Sequence, residues 1–405
     1  MNAGQQSIVV TDSPHHRRDL VLIAVSLVLV AVNLRTTVVS LPPLLGAIRA
    51  DIPMTGAVAG LLTAMPVLCM AWLAPWASRI AGRFGYPTTI LAAVVLIAIG
   101  NGARGLSGSA LALIAATFIA GAGVSIAGVV VPAVVKDVFR GHQGAATGGF
   151  AVAMMLGAAM SATFSAPLAT LVGSWRGSLA FWAIPALAAA VVWAAADRHL
   201  AARSGPVSGS VRAALPWRSR PVWILAGFMS VQAALAYSYI GWMAPAYVAQ
   251  GWTPVAAGAL LGVNNLAQLV AALTLPALAD RVPHFRALLV SAVSLTVIGA
   301  VWLWALPMLA PWVAVSVLGL GLGAGFSLGL TRMVHYAADA RASSRLTAVV
   351  FLVSYTVAAI APIGVGVLHD ATGGFTVPFG LLVVLSLTQL AFVGRLRSDY
   401  CGTVT

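Results

Sequence analysis

The sequence contains no glutamate, so its nine acidic residues are all aspartates. Each aspartate falls near an end of an apolar run, and none stands in the middle of one. This pattern excludes a pair of carboxylates deep within an apolar segment, which is the usual arrangement for proton transfer inside a membrane protein. If a proton takes part in the function, a histidine or the bound molecule itself must carry it.

Cysteine and charge are also scarce. The two cysteines, Cys69 in an apolar run and Cys401 near the C-terminus, are too few and too far apart for a disulfide framework. Charged residues make up 8% of the chain and hydrophobic residues 60%, with a mean hydropathy of +0.98. This composition excludes a soluble globular domain and predicts a polytopic helical membrane protein.

The sequence signatures of enzymes are missing as well. There is no Gly-rich nucleotide loop ending in Lys and Ser or Thr, and no cluster of histidines at metal-binding spacing. We therefore expect no catalysis, no cofactor and no bound metal. The net charge of +13 comes from basic residues spread singly among short connections, so no nucleic-acid partner is expected.

Twelve apolar segments of membrane-spanning length recur along the chain, in two groups of six. The longest polar stretch, rich in Arg, Ser, Gly and Pro, separates the groups. The predicted fold is an all-α polytopic membrane protein with twelve transmembrane helices in two six-helix pseudo-repeats. The predicted divisions are a cytoplasmic N-terminal tail (1–19), an N-terminal six-helix bundle (20–196), a cytoplasmic linker (197–220), a C-terminal six-helix bundle (221–394) and a cytoplasmic C-terminal tail (395–405).

The two groups of six also resemble each other in sequence. Thr147 and Thr347 are 200 residues apart, and Gly173 and Gly373 share the same offset. A near-constant offset of half the chain indicates an internal repeat.

The basic residues are distributed unevenly between the two sides of the predicted membrane. Arg35 and Arg332 lie within helices, and 17 of the 22 basic residues fall in connections on the same side as the N-terminus. The other side holds only Arg49, Arg104 and Arg176. The positive-inside rule therefore places both termini in the cytoplasm of a multi-pass protein of the plasma (inner) membrane.

One cation interrupts the first apolar segment near its middle. Arg35 lies 15 residues after Leu20 and 14 before Arg49, about 21 to 22 Å from each at helical rise. A guanidinium at this depth costs about 2.5 to 3.5 kcal/mol, and five fixed donors suit an oxygen-rich anion. We predict that Arg35 binds an anion, helped by Asn33 and Thr36. The alternative is that Arg35 only bonds to helix carbonyls, Asn33 or a tyrosine and holds the bundle together.

The six-plus-six organisation with a basic central loop resembles the major facilitator superfamily. The loop Ser78–Gly85 is similar to a signature of that superfamily, with Ser78 at the position of the usual aspartate. In the second half, Asp280 stands at the corresponding position and is followed by Arg281, so the aspartate is kept there. The resemblance implies a conformational role for the loop residues Arg79, Arg83, Asp280 and Arg281.

Within the superfamily, the sequence is similar to the cyanate permease and 2-nitroimidazole transporter family. The segments that carry this similarity are Asn33–Arg35, Val131–Lys136, Ser174–Leu179, Phe181–Ala186 and Leu368–Phe375. The resemblance implies alternating access and a midplane site lined mainly by the first, fourth, seventh and tenth helices. It leaves the substrate open, because the named members differ between a small inorganic anion and a neutral aromatic drug.

Several polar and aromatic residues lie at the depth of such a site. The predicted substrate contacts beyond the first helix are Gln232, Tyr237, Tyr239, Asn264, Gln268, Phe326 and Tyr355. Arg332, near an end of the tenth helix, is a predicted gate or second anion contact. The alternatives are helix packing for the aromatic residues, interhelical hydrogen bonds for the amides and snorkelling for Arg332.

These features predict a secondary active or facilitative transporter of a small anion, such as a cyanate-like or nitrate-like ion or a small carboxylate. The alternative is an efflux transporter of small neutral aromatic drugs such as nitroimidazoles. The expected partners are the small-molecule or anion substrate, the lipid bilayer, and a coupling proton or counter-anion. We expect the protein to be a monomer.

Overall fold

The computed structural model describes residues 14–139, 143–200, 216–217, 219–279, 285–396 and 400–404. Most of the predicted linker, together with Asp280 and Arg281, lies outside these residues. The described chain is almost entirely helical. Its helices are α1 (Pro14–Val39), α2 (Leu45–Asp51), α3 (Gly56–Trp72), α4 (Ala74–Phe84), α5 (Tyr86–Gly105), α6 (Ala110–Val138), α7 (Gln143–Val172), α8 (Trp175–Phe181), α9 (Ala183–Leu200), α10 (Arg220–Ala249), α11 (Pro254–Ala279), α12 (Phe285–Ala305), α13 (Pro311–Tyr336), α14 (Ala340–Thr372) and α15 (Thr376–Arg395).

Within the described residues, eleven segments are long and apolar enough to cross a membrane, and the bent pair α3 and α4 makes a twelfth. The 57° bend between them has a local cause, because Pro75 at the start of α4 has no amide hydrogen to continue the helix. Large apolar side chains on the helices, such as Leu111 and Leu171, are more than three-quarters exposed, as expected for helices surrounded by lipid. The predicted all-α fold with twelve spans is confirmed.

The first span is broken four residues after Arg35. Helix α1 ends at Val39, and the chain continues through a 3-10 turn (Pro42–Leu44) into the short helix α2. Pro42 and Pro43 cannot donate backbone hydrogen bonds, so the ladder of α1 cannot run on into this turn. The end of α1 nevertheless lies inside the protein, since Val39 is fully buried.

The two six-helix halves pack together through α3 with α14 and α7 with α11. Closely packed glycines mark both contacts at the end of the bundle opposite the chain termini, hereafter the distal end. Gly60 of α3 lies against Pro362 of α14, where a Cβ atom would come within 2.8 Å of the Ile363 Cα. Gly258 of α11 packs in the same way on α7. The structure is therefore closed at its distal end.

Candidate functional site

Arg35 and Tyr237 connect the two halves near the middle of the bundle. The Arg35 side chain leaves α1 toward α10, and its Nη1 donates a hydrogen bond to the Tyr237 hydroxyl over 3.4 Å. The guanidinium carbon lies 5.9 Å from the centre of the same ring. The hydrogen bond is longer than the usual 2.9 to 3.0 Å for an N–H donor, so Tyr237 satisfies only a small part of what the guanidinium can donate.

Arg35 keeps part of its surface exposed although its neighbours Leu34 and Thr36 are buried. Because its side chain touches the opposite half, this exposed part faces the space between the halves and not the lipid. No carboxylate of the described residues lies within ion-pair distance of Arg35. A cation in this position retains free donors for a visiting ligand.

An aromatic wall adjoins the guanidinium. The ring of Tyr237 meets that of Tyr355 edge to face at 6.4 Å, and Phe351 lies 5.3 Å from Tyr355 on α14. The structure therefore brings together three of the predicted site residues, Arg35, Tyr237 and Tyr355. Phe351 was missed by the sequence interpretation, although its spacing of four residues from Tyr355 places both on one helix face.

Asn33 and Thr36 are not directed at the same space as Arg35. The Asn33 amide donates to the carbonyl oxygens of Leu29 at 2.8 Å and Pro185 at 3.1 Å, within the N-terminal half. Asn33 and Arg35 are two residues apart, so they point about 200° apart around the helix. The Thr36 hydroxyl donates to the Asn33 carbonyl at 3.1 Å and is fully buried.

The predicted amides of the C-terminal half bond to one another and to the backbone. Gln232 donates to the Leu322 carbonyl and accepts from Gln389, both at 2.6 Å. Asn264 donates to the Val315 carbonyl at 2.9 Å and accepts from Gln268 at 2.8 Å. The Gln268–Asn264 bond lies within α11, whereas the other bonds join different helices and match the interhelical alternative. None of these bonds involves Arg35.

Among the described residues, Tyr239, Phe326 and Arg332 have contacts that do not include Arg35. Tyr239 is fully buried with its ring 5.6 Å from Phe379, and Phe326 packs against the core of the C-terminal half. Arg332 is only 6% exposed, and its guanidinium lies 4.4 Å from the ring centre of Phe285. Arg332 is therefore buried against an aromatic ring and does not snorkel to solvent.

The predicted conformational loop is described in the first half only. Arg79 lies over the Trp76 ring at 5.0 Å and Arg83 over the Phe84 ring at 5.5 Å, all within α4. Asp280 and Arg281 fall outside the described residues.

Arg104 is the polar residue that the sequence interpretation placed wrongly. It was counted among the basic residues of the connections on the side opposite the termini, but it lies in the last turn of α5 and is only 1% exposed. Asn101, one helical turn earlier on the same face, was the available signal, because two polar residues at this spacing indicate a buried polar contact in an apolar helix.

The fold agrees with that of a known family. The model of the Major Facilitator Superfamily matches residues 23–362. The chain belongs to the major facilitator superfamily. It is therefore a multi-pass membrane protein of a transporter family.

Two relatives of this major facilitator protein narrow the resemblance. The 2-nitroimidazole transporter of Escherichia coli (strain K12) is 30% identical over 374 residues, which cover 92% of this chain and 94% of the relative. The cyanate transport protein CynX of the same organism is 30% identical over 350 residues, which cover 86% and 90%. The predicted similarity to the cyanate permease and 2-nitroimidazole transporter family is confirmed.

Solved structures agree with the major facilitator fold. An inward-facing bacterial homologue of the human lysosomal transporter Spinster has a TM-score of 0.78 and 14% identity, covering 96% of this chain and 98% of that one. The inward-open xylose transporter XylE of E. coli has a TM-score of 0.72 and 10% identity, covering 92% and 96%. At these identities the likeness establishes the fold alone.

Proposed function

We propose that this protein is a secondary active or facilitative transporter that moves a small anion by alternating access, with Arg35 as the anion-binding group. The proposal is supported by the exposure and bonding of Arg35. This cation lies between the halves, is partly exposed, and donates a long hydrogen bond of 3.4 Å to Tyr237. The remaining donors suit the oxygen or nitrogen acceptors of cyanate, nitrate or a small carboxylate.

The same site suits a substrate that contacts both halves. An anion on the Arg35 guanidinium would also lie beside the Tyr237 hydroxyl and the Tyr355 ring, both in the C-terminal half. Rocking of the halves would change its access from one side of the membrane to the other. We place the closed distal end on the external side of the plasma membrane and both termini in the cytoplasm. In this proposal the transporter works as a monomer, and a proton or a counter-anion is the coupling species.

A second candidate is efflux of small neutral aromatic compounds. The aromatic wall of Tyr237, Tyr355 and Phe351 supports it, because planar rings stack on such surfaces. The relative named for 2-nitroimidazole transport supports it too. A nitro group presents oxygen acceptors, so Arg35 would then act as a hydrogen-bond donor to a neutral molecule.

The experiment that separates these functions is ligand-induced thermal stabilisation of the purified full-length protein. The ligands are nitrate, cyanate, acetate and 2-nitroimidazole, and the proteins are the wild type, Arg35→Gln and Arg176→Gln. Arg176→Gln is the matched control because it also removes one arginine charge. Arg176 lies at the distal end, where its side chain pairs with Asp51 inside the N-terminal half.

We expect an anion to stabilise the wild type and Arg176→Gln, and this stabilisation to disappear in Arg35→Gln. Anion stabilisation that persists in Arg35→Gln would exclude Arg35 as the binding group. Stabilisation by 2-nitroimidazole alone would favour the efflux function.

A further inference from the structure

Besides the partly exposed Arg35, the N-terminal half holds the buried cation Arg104, whose contacts lead to the end of α1. Its Nη1 donates to the Thr37 carbonyl at 2.9 Å and to the Asn101 side-chain oxygen at 3.3 Å. Its Nε donates to the Thr117 hydroxyl at 3.1 Å. No carboxylate of the described residues pairs with it, so the charge is held by neutral acceptors alone.

The carbonyl of Thr37 needs such a partner. The last four carbonyls of a helix lack an intrahelical donor, and α1 ends at Val39 because the proline-containing turn follows. The Thr36 carbonyl accepts from the Ser40 amide at 3.0 Å, and the next carbonyl, that of Thr37, accepts from Arg104. Arg104 therefore caps the broken first span from a neighbouring helix.

The same end of α1 carries a partial negative charge. The C-terminus of a helix behaves as about half of a negative charge, and the effect is concentrated in its last turn. Arg35 lies just before that turn, so an anion held by Arg35 would be repelled by the nearby helix end. A cation that contacts the terminal carbonyls offsets this repulsion.

We infer that Arg104 is a positioning residue that makes the Arg35 site favourable for an anion. It binds the Thr37 carbonyl in the last turn of α1, two residues beyond Arg35, and its charge compensates the negative helix end without contact with the substrate. The inference rests on the proposed function at Arg35. It assigns the anion preference of the site to two arginines. Arg35 contacts the ligand, and Arg104 offsets the negative potential of the helix end near it.

The test compares the Kd of nitrate and of cyanate for the wild type, Arg104→Gln, Arg104→Lys and Thr117→Val. Thr117→Val removes a partner of Arg104 but keeps the charge, so it measures the effect of a loosened helix contact alone. We expect Arg104→Gln to bind the anion at least about tenfold more weakly, Arg104→Lys within about threefold of the wild type and Thr117→Val without change. All three variants should unfold at a lower temperature.

Two results would overturn the inference. One is an unchanged anion Kd in Arg104→Gln. The other is a Kd that weakens in parallel with the unfolding temperature, so that Arg104→Lys is as impaired as Arg104→Gln. If Arg104→Gln does not fold, Arg104→Lys decides, because about a tenfold loss despite the retained charge would mean a purely structural role. Failure of the wild type to bind either anion would count against the proposed function itself.

Discussion

Asp370 of α14 accepts a hydrogen bond from the backbone N–H of Gly56, the first residue of α3, over 2.5 Å. The two residues belong to different halves. The Asp370 carboxylate also lies 3.7 Å from the Arg49 guanidinium and 3.6 Å from His369. It thus contacts the N-terminus of a helix in the other half, where a negative charge is favourable. Under the proposed alternating access, this contact would break each time the distal end opens.

We expect Asp370→Asn to shift the protein toward a state that is open at the distal end. The amide keeps an acceptor for Gly56 but loses the charge that attracts Arg49 and the start of α3. Partly exposed ion pairs and helix-end charges each contribute about 0.3 to 1 kcal/mol, so the loss of both should increase opening about three- to thirtyfold. The measurement is the rate at which a membrane-impermeant maleimide labels Thr63→Cys, a position buried against Gly241 of the opposite half.

The labelling is done with Cys69→Ala and Cys401→Ser in place, so that the introduced thiol is the one that reacts. Asp51→Asn is the matched control, because Asp51 bonds to Trp175 and Arg176 within the N-terminal half. Equal labelling rates in Asp370→Asn and Asp51→Asn would show that Asp370 does not hold the distal end closed.

Gly60 offers an independent test of the same closure. In Gly60→Ala the new Cβ would lie 2.8 Å from the Ile363 Cα, and the atoms in the way are backbone that cannot rotate aside. We expect the distal end to close poorly in this variant. Transport of the substrate anion into proteoliposomes should fall at least about tenfold, since a cost of about 1.4 kcal/mol for closing is a factor of ten.

Gly148→Ala is the control for this substitution. No atom lies within 4 Å of a Cβ at Gly148, and alanine favours a helix over glycine by about 0.5 to 1 kcal/mol. Gly148→Ala should transport normally. Wild-type transport by Gly60→Ala would contradict the close contact between α3 and α14.

The fold was predictable because the bilayer fixes the length of each span and no water is present to satisfy a broken backbone. The break after α1 was not predicted, although Pro42 and Pro43 signal it. The first of the twelve predicted apolar segments was interpreted as one continuous span, because its hydropathy stays high through the two prolines. A proline pair within an apolar run indicates a broken span even where the hydropathy does not fall.

The site was predictable only in part. Arg35 stood out because a buried cation is costly, and Tyr237 and Tyr355 were selected by depth and residue type. The same criteria also selected Asn33 and Gln232, whose amides bond within their own halves. Helices that are apolar on every side carry no pattern that shows which face points to the interior, so depth alone could not give the direction of a side chain.

Tyr237→Phe should weaken anion binding about fivefold, because the ring stays in place while the hydroxyl next to Arg35 is lost, and a hydrogen bond contributes about 1 kcal/mol. Tyr239→Phe is a close control two residues away. The Tyr239 hydroxyl has no hydrogen-bond partner among the described residues, and its ring packs inside the C-terminal half. The anion Kd from thermal stabilisation should therefore be unchanged in Tyr239→Phe. Equal effects of the two substitutions would place the ligand elsewhere.

Gln232→Leu distinguishes a structural amide from a substrate contact. Leucine has a similar size but leaves the Leu322 carbonyl and the Gln389 amide without the partners they have now. An unsatisfied buried polar group costs about 1 to 3 kcal/mol, so we expect a lower unfolding temperature. Because Gln232 is 1% exposed and bonds within its own half, the Kd of the anion should stay within about twofold of the wild type. A stable variant with much weaker anion binding would instead show that Gln232 contacts the substrate.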